Sequence, residues 1–122
     1  MADQYTVKIC KPDDLPIFTQ KKIGNGIGAD IKVTLDNNYV VSFVDETTVK
    51  FIRGWNLGEN WTDPIDVDTG VEKNQTGIMV DKINQIYLFY VKKVESIAKI
   101  FYKKSVDKGV TWGSAVEVEN FV

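Results

Sequence analysis

The chain has no histidine, and among its 122 residues there is one cysteine, one arginine and three prolines. Lacking histidine, it lacks the commonest general base, the usual activator of a serine or cysteine nucleophile and the commonest metal ligand. Cys10 by itself forms neither an internal disulfide nor a cysteine-rich zinc site, and neither metal nor cofactor is expected. Charge of one sign is also scarce: 15 Lys and Arg stand against 17 Asp and Glu, a formal net charge of -2. So small a charge steers no polyanion, and nucleic acid is not an expected partner. No apolar run is long enough for a transmembrane helix. Residues 1–10 have no apolar core of signal-peptide type, so neither membrane attachment nor secretion is expected. Asn60-Trp61-Thr62 and Asn74-Gln75-Thr76 spell glycosylation sequons, which carry meaning only on a secreted chain.

What is present is alternation at a period of two, with no sustained helical period. Residues 4–10 and 17–23 read as short strands, separated by a turn in which Pro12 and Pro16 flank Asp13 and Asp14. Gly24-Asn25-Gly26-Ile27-Gly28-Ala29 loosely fits the dinucleotide fingerprint G-x-G-x-x-A. The β-branched residues that follow (Ile31, Val33, Thr34) stand where that motif needs a helix, so the segment reads as a flexible glycine loop. From residue 31 the pattern is regular. Strands are expected at 31–35, 39–44, 49–53 and 65–67, then at 78–80, 86–91, 97–103 and 115–118, with a longer loop at 92–96.

Ser105-Val106-Asp107-Lys108-Gly109-Val110-Thr111-Trp112 is the most informative stretch. Asp107 can accept backbone N–H bonds as Asx-turns do. Gly109 supplies a conformation closed to residues with a Cβ, and the Trp112 indole can shield the turn. The stretch has a weaker copy in Gly54-Trp55-Asn56-Leu57-Gly58-Glu59-Asn60-Trp61, which keeps Gly58 and Trp61 and puts Asn56 in place of the Asp. Upstream, residues 31–44 align with 78–91 without gaps at a spacing of 47, which grows to 51 at the two turns. A period near 50 residues with four strands per unit is that of propeller blades.

At five fixed positions (Ser105, Asp107, Gly109, Thr111, Trp112) the stretch resembles the Asp-box, Ser-x-Asp-x-Gly-x-Thr-Trp, of the sialidase (neuraminidase) family. The resemblance, which covers roughly residues 31–118, implies an all-β fold. It would hold two four-stranded antiparallel blades, at 31–69 and 70–122, preceded by an N-terminal extension at 1–30. It also implies that the boxes lie away from the ligand face. The family's catalytic set is an arginine triad, a tyrosine nucleophile paired with a glutamate, and an aspartate acid/base. This chain has only Arg53, outside the family's Phe-Arg-Ile-Pro context, so no catalytic residue is assigned.

The second strand of each unit is apolar on both faces: Ile86, Leu88 and Tyr90 alternate with Tyr87, Phe89 and Val91. A strand wet on one side would alternate with polar residues. Two blades cover one face each and would leave two open, and open patches of this kind mark interfaces. Since head-to-tail contacts close into rings, a homotrimer completing six blades is the favoured assembly, two chains giving four blades is the other ring, and a segment of a longer propeller or a two-sheet sandwich folding alone are the alternatives.

The expected function is a non-catalytic, sialidase-like module that binds a glycan or acts as a scaffold. The alternatives are a glycoside hydrolase with a site shared between subunits and a purely structural assembly protein. On the rim opposite the boxes, Asp45, Glu46, Lys92, Lys93 and Glu95 are candidate ligand-face residues, joined by residues 69–76 and 21–30. Trp55, which replaces Val106 at an outward box position, is a candidate aromatic contact. Asp66-Val67-Asp68-Thr69-Gly70 resembles the opening of a calcium loop, but the later ligands do not follow.

Overall fold

The computed structural model describes residues 6–11 and 19–118. The expected turn at Pro12 to Pro16 lies outside them. Among the described residues there are strands and turns but no helix. Strands β1 (Thr6–Lys11) and β2 (Thr19–Asn25) form a hairpin. A first large sheet runs β3 (Ile27–Val33), β4 (Tyr39–Asp45), β5 (Thr48–Trp55). Both β6 (Asn60–Trp61) and β7 (Ile65–Thr69) pair along the remaining edge of β5. A second sheet is ordered β8 (Gly77–Val80), β9 (Ile86–Val94), β10 (Ile97–Ser105), β11 (Val116–Glu117). Every pairing is antiparallel.

The loop expected at residues 92–96 is instead a two-residue turn. Glu95 and Ser96, with φ of 51° and 67°, connect the paired Val94 and Ile97. Two left-handed residues in a two-residue turn match the right-handed twist of the flanking strands. The four residues gained in the second repeat therefore lengthen β9 and β10 into an overhang of two extra pairs, Lys93 with Ala98 and Val94 with Ile97.

The two sheets pack face to face. Val40, Val44, Val49 and Phe51 of the first sheet meet Ile86, Leu88 and Tyr90 of the second in one buried cluster. Strand pleating explains the selection, since residues two apart share a face. Ser42, the polar member of its row, is fully buried at this seam, and its hydroxyl lies 2.7 Å from that of Thr76. In repeat terms, Val40, Ser42 and Val44 correspond to Tyr87, Phe89 and Val91, and Tyr39, Val41 and Phe43 correspond to Ile86, Leu88 and Tyr90. The sheets thus pack front to back, the opposite faces of two like units in contact.

The other face of the first sheet is not left open, which corrects the expectation of two bare outer faces. Val41, Phe43 and Ile52 are buried beneath the β1–β2 hairpin, with Val7 and Ile23 packed on them. Here the glycine-rich segment has its reason. A Cβ on Gly24 would come within 2.8 Å of Phe43, and one on Gly26 within 2.5 Å of both Phe43 and the Val44 carbonyl. The segment is strand, not flexible loop: β2 and β3 meet at Gly26. Gly28, at φ +66°, has its carbonyl bonded by the Thr76 N–H and hydroxyl, which ties β3 to the connection between the sheets.

Among the described residues, an apolar face of the second sheet stays partly exposed. On the far side of the second sheet the register aligns Met79 with Tyr87, Val91 with Ile100, and Phe89 with Tyr102, which in turn pairs with Val116.

Candidate functional site

The turn at 105–112 is held by bonds among its own residues, and the next strand begins only at Val116. The Ser105 hydroxyl, buried at the end of β10, donates to Asp107 Oδ1 (2.8 Å) and accepts from the Gly109 N–H (2.8 Å). Asp107 accepts from the Thr111 N–H (2.9 Å) and, on its other oxygen, from the Thr111 hydroxyl. The Trp112 indole N–H donates to the Gly109 carbonyl at 3.1 Å, and its ring meets Phe51 edge-on at 5.1 Å. The turn therefore does more than reverse the chain: it lies against Phe51 of the first sheet's core.

Bonds from the Thr111 hydroxyl, the Thr111 N–H and Ser105 hold the Asp107 carboxyl at about 2, below its ordinary 3.8. A carboxyl depressed in the fold adds stability that is complete above the unfolded value near pH 4 and is lost as pH falls toward 2. Asp36, lowered chiefly by the Thr34 hydroxyl and then by Lys108, acts in the same direction. Urea midpoints measured across this range should fall with acid. Asp107→Asn should lower the midpoint at neutral pH, because a charge-assisted bond is lost. The same substitution should flatten the acid slope, and an unchanged slope would remove Asp107 from the account.

The weaker copy at 54–61 keeps part of this geometry. Trp61 donates its indole N–H to the Gly58 carbonyl (2.8 Å), as Trp112 does to Gly109. Its ring stacks on Tyr39 and lies over Gly54, where a Cβ would come within 2.6 Å. The Asn56 side chain reaches the Asn60 side chain at 3.5 Å, where Asp107 takes the Thr111 backbone N–H, so the same two positions are joined more weakly. Asn56 and Leu57 both hold left-handed φ, at 55° each.

Lys108 of the 105–112 turn pairs with Asp36 (2.9 Å), and Asp36 also accepts from Asn84 (3.1 Å), so this turn and the first turn of each large sheet share one rim. On the other rim Lys93 pairs with Glu72 (3.2 Å). Thr47, Glu72, Lys73, Asn74, Lys93 and Ala98 line an open cleft of about 550 Å³ there. The remaining candidate ligand-face residues do not converge on it. Asp45 shares Lys50 with Asp66, Lys92 turns to Asp68 (3.4 Å), and Glu46 and Glu95 are exposed at two separate hairpin turns. Residues 21–30 belong to β2 and β3 and so build the fold. Trp55 is 39% exposed, with the Arg53 guanidinium 5.1 Å over its ring.

Sequence reasoning missed the cluster around Asp68, whose members lie 22 and 24 residues apart. Tyr90, buried at the seam, donates its hydroxyl to Asp68 at 2.7 Å. Lys92 approaches the same oxygen, and Lys103 donates to the Val67 carbonyl. Burial, then the Asp68 bond and charge, push the Tyr90 phenol strongly up. With Tyr90 only 1% exposed, this tyrosine–acid pair is a bond within the seam between the sheets. Asp66 and Asp68, the start of the calcium-like stretch, are engaged by Lys50 and by Tyr90 and Lys92 respectively. Among the described residues no group of three or more acidic, histidine or cysteine side chains is placed to hold a metal.

A further feature is the partly exposed far face of the second sheet. Tyr87, Phe89 and Tyr102 form an aromatic cluster, with centroids 5.9 Å apart for the Tyr pair and 5.3 Å for Phe89 and Tyr102. Met79, Ile100 and Val116 around them are 47%, 39% and 44% exposed. No protein-family model matches the chain, and no curated protein matches it.

Proposed function

We propose that this chain is a non-catalytic, propeller-type assembly module, a scaffold unit that works by sheet-to-sheet contact. The observation that carries the reading is a repeat comparison. Val40 and Val44 of the first sheet are buried to within 1% by the second sheet, yet their counterparts Tyr87 and Val91 have no sheet against them among the described residues and are only half-buried. An apolar sheet face of this kind is an interaction surface. The Asp-box turns and the front-to-back packing of two like units support the propeller-type reading. A six-bladed ring of three chains remains its symmetric extreme, and it would have to form without the first sheet's outer face, where the β1–β2 hairpin lies.

A second reading, glycan binding, is favoured by the open rim cleft beside Lys93 and by partly exposed Trp55. Sialidase-type hydrolysis has weaker support: the lone Arg53 is spent on Asn38 and Trp55, and Tyr90 is held protonated. Two measurements separate these readings. Light scattering should give a mass above the 13.8 kDa of one chain, and a fluorogenic sialoside should not be turned over. A strict monomer that registers on a glycan array would replace the assembly reading with the second one.

A further inference from the structure

We propose that the rim formed by the turns at 34–38, 54–61, 81–85 and 105–112 is a lipid-binding edge, which docks on a bilayer by sinking its turn tips among the headgroups. It is independent of the assembly reading, which concerns sheet faces. Among the described residues the five most exposed large apolar side chains are Leu57, Ile83, Val106, Leu35 and Val110, at 62–73%. All five stand on these four turns. The hairpin tips of the opposite rim are Glu46-Thr47 and Glu95-Ser96, with Ile97, 59% exposed, beside the second. The five are scattered from residue 35 to residue 110, so no apolar run marks them.

Free turn positions ordinarily take polar residues, and no local bond calls for these side chains. In the turn at 105–112 the bonding is done by Ser105, Asp107, Gly109 and Thr111, and Val106 and Val110 stand between them. Leu57 holds φ at 55°, a left-handed conformation that Asn or Gly adopts at less cost. An exposed leucine kept at a strained position points to function. The turns are also fixed to one another. Lys108 and Asn84 both meet Asp36, the Leu35 N–H donates to the Asn84 side chain (3.0 Å), and Arg53 reaches Asn38.

A lipid surface suits this edge better than a protein partner. Its apolar residues sit singly on separate turns, with Asp36, Lys82 and Lys108 beside them, unlike the continuous apolar centre of a protein contact. The tip backbone is already satisfied, which lowers the cost of leaving bulk water. The N–H groups of Ile83, Asn84 and Gln85 are taken by Asp81, and those of Gly109, Val110 and Thr111 by Ser105 and Asp107. The carboxylates are engaged as well: Asp36 by Lys108, Asp81 by its own turn, Asp107 by Thr111. Lys82 has no partner among the described residues and is left to meet a lipid phosphate. Trp55, with Arg53 over its ring, is an aromatic of the kind that settles at the membrane–water boundary.

Flotation of the full chain with phosphatidylcholine vesicles tests the proposal. The chain should float, and should still do so in about 0.5 M salt, because insertion of apolar tips is not screened. Leu57→Asn and Ile83→Asn should each lower the partition about tenfold or more. Neither should lower the thermal midpoint, since both sites are open and Asn suits the φ of residue 57. Ile97→Thr, on the opposite rim, should leave flotation unchanged. A folded chain that floats with no vesicle would overturn the proposal. If flotation fails and the two Asn variants instead abolish self-association, the edge belongs to a protein contact. Flotation that requires phosphatidylserine and is lost in salt would replace insertion by charge attraction. Flotation weakened by Ile97→Thr alone would overturn the choice of rim.

Discussion

Replacing Gly109 by alanine should destabilise the protein by about 3 kcal/mol or more, enough to lower the urea midpoint severely. Two costs coincide at this residue. Its φ of +85° is one that side chains rarely adopt, and a Cβ built there would stand 2.1 Å from the Phe51 ring. Phe51 cannot withdraw, because it is fully buried and held edge-on by Trp112. Two controls separate the costs. Gly70→Ala, at φ +68° with open space around it, should show the backbone cost alone, about 1 kcal/mol. Gly113→Ala, whose nearest neighbour would be at an ordinary 3.5 Å, should be close to neutral. Equal losses at Gly109 and Gly70 would mean that the ring contact contributes nothing.

Removal of residues 1–25 should be as damaging by a different route. The hairpin covers Val41, Phe43 and Ile52, which are at most 2% exposed. Uncovering three large apolar side chains forfeits about 5 kcal/mol or more, comparable to the whole stability of a small domain. It would also bare a second sticky face on a chain that already has one. The truncated chain should bind a hydrophobic dye, lose its cooperative melt and form large aggregates. A truncated chain with the full chain's mass and melting temperature would show that the hairpin is an ornament.

Much of this architecture was legible in the sequence, and the exceptions share a cause. β4 and β9 announce themselves by apolar residues on both faces, and the Ser105 to Trp112 turn by local bonds that span at most four residues. Local grammar failed where the reason for a residue lies far away. Gly24 and Gly26 read as loop because glycine usually is loop, yet they are glycine because Phe43 lies against them. The tip of β9–β10 read as loop because Lys92 and Lys93 precede a turn without Asn or Gly, the usual carriers of its two left-handed residues. On the candidate ligand rim, Lys93 and Thr47 reach one cleft, while Asp45 and Lys92 are drawn to Lys50 and Asp68. Nothing in a linear spacing shows which lysine will find which acid. The Tyr90–Asp68 bond was hidden for the same reason.

The insertion of Gly109 and Trp112 against Phe51 has a consequence for how the chain comes off the ribosome. The ring at the centre of the earlier unit has no lid until the turn at 105–112 has been synthesised. The first sheet's core therefore stays unfinished while the second sheet is still being made.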